Sequence, residues 1–180
     1  MERVSGVFDI AHIKAIHKNL FDGVYPDAGE FRTVRAYNGW DEFTRPEQIT
    51  MSLRLVCDYT KMENYFRGLP QDMLAAKLCA AMGKLHRIHP FQDGNRRVYL
   101  TFLEQLAANA GFEFDISKLP KDDMTLALSQ ALIGNYMRML GLFTPALTYT
   151  GVMGSVVYNA EPAPEKPRKG LFHIFKRRTR

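Results

Sequence analysis

Nine consecutive residues, His89-Pro90-Phe91-Gln92-Asp93-Gly94-Asn95-Arg96-Arg97, crowd an imidazole, a carboxylate, a glycine, an amide and two guanidinium groups into one short segment. Each of these has a use in phosphate chemistry. An imidazole has an unperturbed pKa near neutrality, so His89 can take a proton from an attacking hydroxyl. Asp93 is the hard oxygen ligand that suits Mg²⁺, an ion that keeps most of its waters. Gly94 permits a close backbone approach and unusual dihedrals. Arg97 can hold a phosphate bidentately. A helix beginning around Asn95 adds its free N–H groups and the positive end of its dipole, which favour an anion. The residues alone predict an anion site beside a base.

Two helices must present this loop. From residue 71 the apolar positions Leu74, Leu78, Ala81, Leu85 and Ile88 recur at steps of four and three, a buried helix face with Pro70 near its first turn. His89-Pro90 ends it, because proline disfavours helical geometry in the residue before it. The second helix runs through Val98, Phe102, Leu106 and Ala110 to a C-cap at Gly111. Elsewhere the pattern predicts a first helix over 9–21 with Asp9 as N-cap, and a hairpin over 31–43 turning at Asn38-Gly39. A helix follows from Pro46 to about residue 65, and a last one spans about 121–140. The expected fold class is all-α, a helical core with a short β-hairpin.

The chain has 180 residues, 46% of them hydrophobic, as in an ordinary globular protein of one domain with room for a tail. We divide it into a domain at 1–146 and a flexible basic C-terminal tail at 147–180. The net charge of +5 resides in the tail: residues 161–180 hold seven basic side chains against Glu161 and Glu165. The core is therefore near neutral, which argues against nucleic acid as its partner. Cys57 and Cys79 lie in apolar helical segments and read as small core hydrophobes, and no Cys/His cluster has zinc spacing. No apolar stretch matches a signal or a membrane span, so a cytoplasmic protein is expected, with export as an effector left open.

The loop resembles the Fic family motif H-P-F-x-[DE]-G-N-G-R-x-x-R. The similarity extends to residues 9–17, to Tyr25-Pro26-Asp27-Ala28-Gly29-Glu30-Phe31-Arg32, to residues 63–69 and to Gly134-Asn135, roughly 7–143 in all. This resemblance implies a Fic helical core that transfers AMP from ATP to a Tyr, Ser or Thr hydroxyl of a target protein. By the same resemblance His89 is the general base and Asp93 the Mg²⁺ ligand. Phe91, as a buried anchor of the loop, joins Gly94, Asn95, Arg96 and Arg97 in the nucleotide-binding set. The hairpin at 31–43 resembles the family's flap, which docks an extended target segment by strand addition.

Two positions depart from the motif. Arg96 stands where glycine is usual, and Leu100 where the last arginine is usual. Residues 97 and 100 share a helix face, so the site has lost one guanidinium and gained another one turn earlier. The related Doc kinases show a similar variation and transfer the γ-phosphoryl group. Phosphoryl transfer, or a scaffold that binds without turnover, therefore stands beside AMP transfer. The family's inhibitory motif, [ST]-x-x-x-E-[GN], finds no match. The nearest is Glu63-Asn64, with Tyr59 in place of Ser or Thr. Any inhibitor is then a separate, antitoxin-like protein.

The other residues read blandly. His86 is structural or solvent-facing, and His12 and His17 lie on a charged face without a role. Arg32 and Arg35 belong to a solvated strand face. Met62, Met73, Met82, Met124, Met137 and Met139 are core or near-core filler. Trp40 either touches a target from the hairpin or packs locally. In the tail, residues 160–167 form a spacer by composition, and residues 170–178 can touch a membrane or partner or merely solubilise.

Overall fold

The computed structural model describes residues 6–151. The expectations for residues 160–178 lie outside them. Six helices and two short antiparallel strand pairs make up the described residues: α1 Ile10–Phe21, β1 Tyr37–Asn38, β2 Asp41–Glu42, α2 Ile49–Met62, α3 Gln71–Ile88, α4 Asn95–Asn109, β3 Phe112–Phe114, α5 Lys121–Leu132, α6 Met137–Ala146 and β4 Leu147–Tyr149. The helical core expected from the apolar periodicity is what forms. No helix among the described residues is long and apolar enough to cross a membrane.

The organising element is α3, which packs against α2, α4, α5 and α6. Its stripe of Leu74, Leu78, Ala81, Leu85 and Ile88 is buried as the spacing predicts, each leucine or isoleucine contributing roughly 1.5–3 kcal/mol by leaving water. The helix α4 is enclosed on more than one face: Tyr99, Leu103 and Gln105 are buried as well as Val98, Phe102 and Leu106. The first helix starts as read, with the Asp9 carboxylate accepting from the His12 N–H at 2.8 Å, a cap worth about 1 kcal/mol. Cys57 and Cys79 are free and buried, and burial pushes both thiols up to about 12, which keeps them protonated.

Several boundaries differ from the sequence reading. The expected last helix is two, because Gly134 adopts a φ of +83° and the Asn135 side chain accepts from the Met137 N–H to start α6. The helix after Pro46 stops at Met62, and Asn64, Tyr65 and Phe66 all take positive φ to bury Phe66. Leu147–Tyr149, assigned to the tail by composition, forms β4 against β3, with Phe114 opposite Leu147 and both buried. The two strands lie more than thirty residues apart, so no turn signal announces them. Met82, Met124 and Met139 are core, but Met62, Met73 and Met137 are exposed, not filler.

The hairpin is also shorter than expected. Strands β1 and β2 pair Tyr37 with Glu42 and Asn38 with Asp41, so the turn is Gly39-Trp40 and not Asn38-Gly39. Gly39 takes a φ of +61° at the first turn position, where a two-residue hairpin turn calls for glycine. Residues 31–36 are not strand, because Arg32 turns inward. The residue is 4% exposed rather than solvated. It donates to the carbonyls of His89 (2.6 Å), Val34 (2.7 Å), Ile88 (3.3 Å) and Thr44, while its own N–H donates to Pro90 (2.9 Å). One side chain thus joins the start and end of the hairpin segment to the C-terminus of α3. Charged hydrogen bonds contribute roughly 1.5–3 kcal/mol each, and the carbonyls they satisfy are costly to leave bare. We predict that Arg32→Met lowers stability by about 3 kcal/mol, a fall of about 10 °C in thermal midpoint. A midpoint within about 1 °C of wild type would show that the clamp carries no stability.

Candidate active site

The loop at 89–94 is built from both ends and from beneath. At its start, His89 caps α3 in the left-handed region (φ 48°, ψ 60°), a conformation that costs a non-glycine residue roughly 1–2 kcal/mol. Arg32 and the following Pro90 hold it there. Beneath the loop, Phe91 is fully buried. The Asn95 amide clamps its backbone on both sides, accepting from the Phe91 N–H at 2.9 Å and donating to its carbonyl at 2.7 Å. The buried Tyr99 hydroxyl donates to the same Asn95 oxygen at 3.1 Å. At the far end Gly94 precedes α4 with a φ of +75°, and a Cβ there would lie 2.3 Å from the Phe21 ring. No other residue fits that position without displacing Phe21.

His17 supports the loop from α1. Its ring stacks on Phe91 with centroids 3.9 Å apart and planes 16° apart. Its Nδ1 accepts from the Gly29 N–H at 2.8 Å, which leaves Nε2–H to donate to the Asp93 carbonyl at 3.2 Å. A neutral imidazole bridges two loops this way, and burial lowers its pKa accordingly. Neither His17 nor His12 lies on an exposed face: both are buried.

Above this support lies a cavity of about 480 Å³. His89, Asp93, Gly94, Arg96 and Arg97 line it, together with the start of α4. The Asp93 carboxylate is exposed and oriented, one oxygen accepting from the Gly94 N–H at 2.6 Å and the other from the Tyr25 hydroxyl at 3.0 Å. The Arg97 guanidinium lies over the Phe21 ring, 5.5 Å from its centroid. Arg96 turns the other way and donates to the Lys121 carbonyl (3.3 Å) and the Thr125 hydroxyl (3.2 Å) at the start of α5. The two cations therefore occupy different walls. Leu100 and Ile116 supply an apolar side.

The His89 ring stacks on Phe43 at 4.1 Å with an interplanar angle of 9°, and its buried Nδ1 has no hydrogen-bond partner among the described residues. Burial, reinforced by His86 and Arg32, pulls its pKa down to about 4. His86 is pulled to about 4 as well, by burial and then by Arg87 and Arg96. Both imidazoles are neutral at pH 7. A neutral base faces a cavity whose fixed charges favour an anion.

His89, Asp93, Gly94, Arg96 and Arg97 meet at one cavity. Phe91, expected as the loop's buried anchor, is sealed beneath it. The Asn95 side chain is committed to the loop backbone, which leaves its main-chain N–H for an anion. Arg32, His17 and Tyr25 position the loop, a part the bare pattern did not assign them. The signal for Arg32 and Tyr25 was their place in the matching segments at 25–32. For His17 it was its place in the matching segment at 9–17, which did not reveal its partners at Gly29 and Asp93. Glu63 lies outside the cavity lining and pairs with Lys77 at 2.9 Å.

Comparison with known proteins agrees with this geometry. The Fic/DOC family model matches residues 7–107. The protein adenylyltransferase VbhT of Bartonella schoenbuchensis is 34% identical over 178 residues, an alignment covering 93% of this chain and 37% of that protein. A relative from Sinorhizobium fredii, named probable protein adenylyltransferase, is 32% identical over 131 residues, covering 72% of this chain and 68% of its own. The chain thus spans little more than a third of the first relative and about two-thirds of the second. Among solved structures, the N-terminal Fic domain of a VirB-translocated Bep effector from Bartonella quintana, with bound ADP, aligns with a TM-score of 0.77 at 27% identity, covering 83% of this chain and 77% of that one. A matching motif, a matching fold and a family model over more than half its length lead to one conclusion: the chain belongs to the Fic/DOC family.

Proposed function

We propose that the chain is a protein adenylyltransferase that moves AMP from ATP to a Tyr, Ser or Thr hydroxyl of a target protein. The observation that carries this reading is the neutral His89 imidazole lining the same cavity as Asp93, Arg96, Arg97 and the start of α4. His89 takes the proton of the target hydroxyl, whose oxygen forms a bond to the α-phosphorus. The bond from that phosphorus to the bridging oxygen breaks, and pyrophosphate leaves. Arg96, Arg97 and the first-turn N–H groups of α4 hold the phosphates from two sides. The names of the relatives favour AMP transfer over phosphoryl transfer, and the Bartonella quintana domain binds a nucleotide.

Mg²⁺ fits this donor set as a shared ligand. Among the described residues no group of three or more His, Cys, Asp or Glu side chains could hold a metal. Asp93 alone offers a carboxylate at the cavity, each oxygen spending one lone pair on Gly94 or Tyr25. One carboxylate with substrate phosphates is a usual Mg²⁺ set. When bound, the ion neutralises charge on the phosphate oxygens. The hairpin at 31–43 presents the target, and its short strands leave outer edges for strand addition. Any inhibitor of this cavity is read as a separate, antitoxin-like protein, a reading supported by Glu63, which pairs with Lys77 and does not line the cavity.

Two outcomes are expected. With a cell lysate and ATP labelled at the α position, the chain transfers label to protein, and His89→Ala reduces this by about 100-fold or more. Label transferred from the γ position alone would replace AMP transfer by phosphorylation. Mg²⁺ at millimolar concentration binds the chain only when ATP is present, and Asp93→Asn raises the Mg²⁺ needed for labelling about tenfold. An unchanged Mg²⁺ dependence in that variant would remove Asp93 from the metal set.

A further inference from the structure

The hairpin carries a side chain that its own fold does not use. Trp40, the single tryptophan of the chain, stands at the turn fully exposed. Local packing, one of the two sequence readings, is thereby excluded. Val34 and Tyr37, in the same segment, are also more than half exposed. An indole presents roughly 150–250 Å² of largely apolar surface, and tryptophan is the residue type most enriched among interface anchors.

The position of Trp40 identifies what it meets. Phe43, three residues further on, is the residue stacked on the His89 ring. Thr44 is tied to the end of α3 by its N–H, which donates to the Arg87 carbonyl at 3.1 Å, and by Arg32. The base of the hairpin is therefore fixed to the catalytic histidine. At about 3.3 Å per extended residue, the turn lies within about 10 Å of Phe43 along the strand, one ring stack from that histidine. A polypeptide docked along the hairpin with a hydroxyl at His89 passes within reach of this indole. The charges nearby do not offer a competing handle: Arg35 (3.4 Å) and Arg45 (3.9 Å) both pair with Glu42.

We propose that Trp40 is the anchor by which the hairpin captures its polypeptide substrate, through an apolar side chain about three or four residues from the hydroxyl that is modified. This rests on the transferase reading and adds a substrate preference to it. The indole acts before chemistry, on docking. It touches neither the nucleotide cavity nor His89.

The test uses the full chain and a polypeptide that it labels from α-labelled ATP. Trp40→Ala raises KM for the polypeptide tenfold or more, with kcat within twofold and KM for ATP unchanged. Trp40→Phe, which keeps an apolar ring, recovers most of the loss. A split of this kind separates docking from misplacement of the base. The inference is overturned if Trp40→Ala leaves polypeptide KM unchanged, or if kcat falls at constant KM. It is also overturned if the wild type is a dimer that this variant dissolves, since a second copy of the chain would then be the occupant. A wild-type chain that labels no protein overturns the transferase reading itself, a result distinct from all of these.

Discussion

A buried guanidinium holds the working parts of this protein in register. Arg32 satisfies carbonyls at Val34, Thr44, Ile88 and His89, and its backbone N–H satisfies Pro90. Several constraints meet at this point. The last carbonyls of α3 need donors because the helix ends. His89 must remain left-handed against its own preference. The hairpin must stay beside the cavity although its two-residue strands offer few hydrogen bonds of their own. A single planar cation with five donors answers all three, which an ammonium with three donors and no fixed fork cannot do.

The same arrangement sets the electrostatics of the cavity. Burial against Phe43 already disfavours a charged His89, and Arg32 and His86 push in the same direction. The base is kept neutral by the groups that hold it in place. Asp93 opposes this, drawing the His89 pKa upward, but weakly. Arg96 and Arg97 present positive charge from different walls of the cavity, one tethered to α5 and the other resting on Phe21. In the proposed reaction a polyphosphate entering between them would bring negative charge toward the histidine and so favour the proton that His89 is proposed to accept. The Leu100 substitution for the motif's last arginine leaves an apolar wall there, and Arg96 supplies the second cation from elsewhere.

The sequence spoke most clearly where periodicity or chemistry is local. The α3 stripe, the Asp9 cap and the loop from His89 to Arg97 were all legible, since each depends on neighbours within a few residues. Contacts distant in sequence were not. The pairing of β3 with β4 joins residues more than thirty apart, and the His17 stack on Phe91 joins residues 74 apart, so neither has a local signature. Arg32 was misread because alternation in a segment of mixed polarity looks like a solvated strand. Only the position of the α3 terminus reveals that its charge is needed inside. The α5–α6 break was written in Gly134-Asn135, but the surrounding apolar pattern is continuous and masked it.

The claim on which the account turns is that His89 is a neutral base at physiological pH because of where it is held. Its folded-state pKa is depressed, so the neutral ring persists above about 4 and protonates only as pH falls through that value. Titration of the imidazole ¹⁵N resonances, with His89→Gln to assign the signal, measures this directly. The account predicts a His89 that is still neutral at about pH 5, well below the usual histidine midpoint. A midpoint near 6.5, that of a free histidine, would contradict it and would mean that the Phe43 stack and the Arg32 clamp do not shape the base.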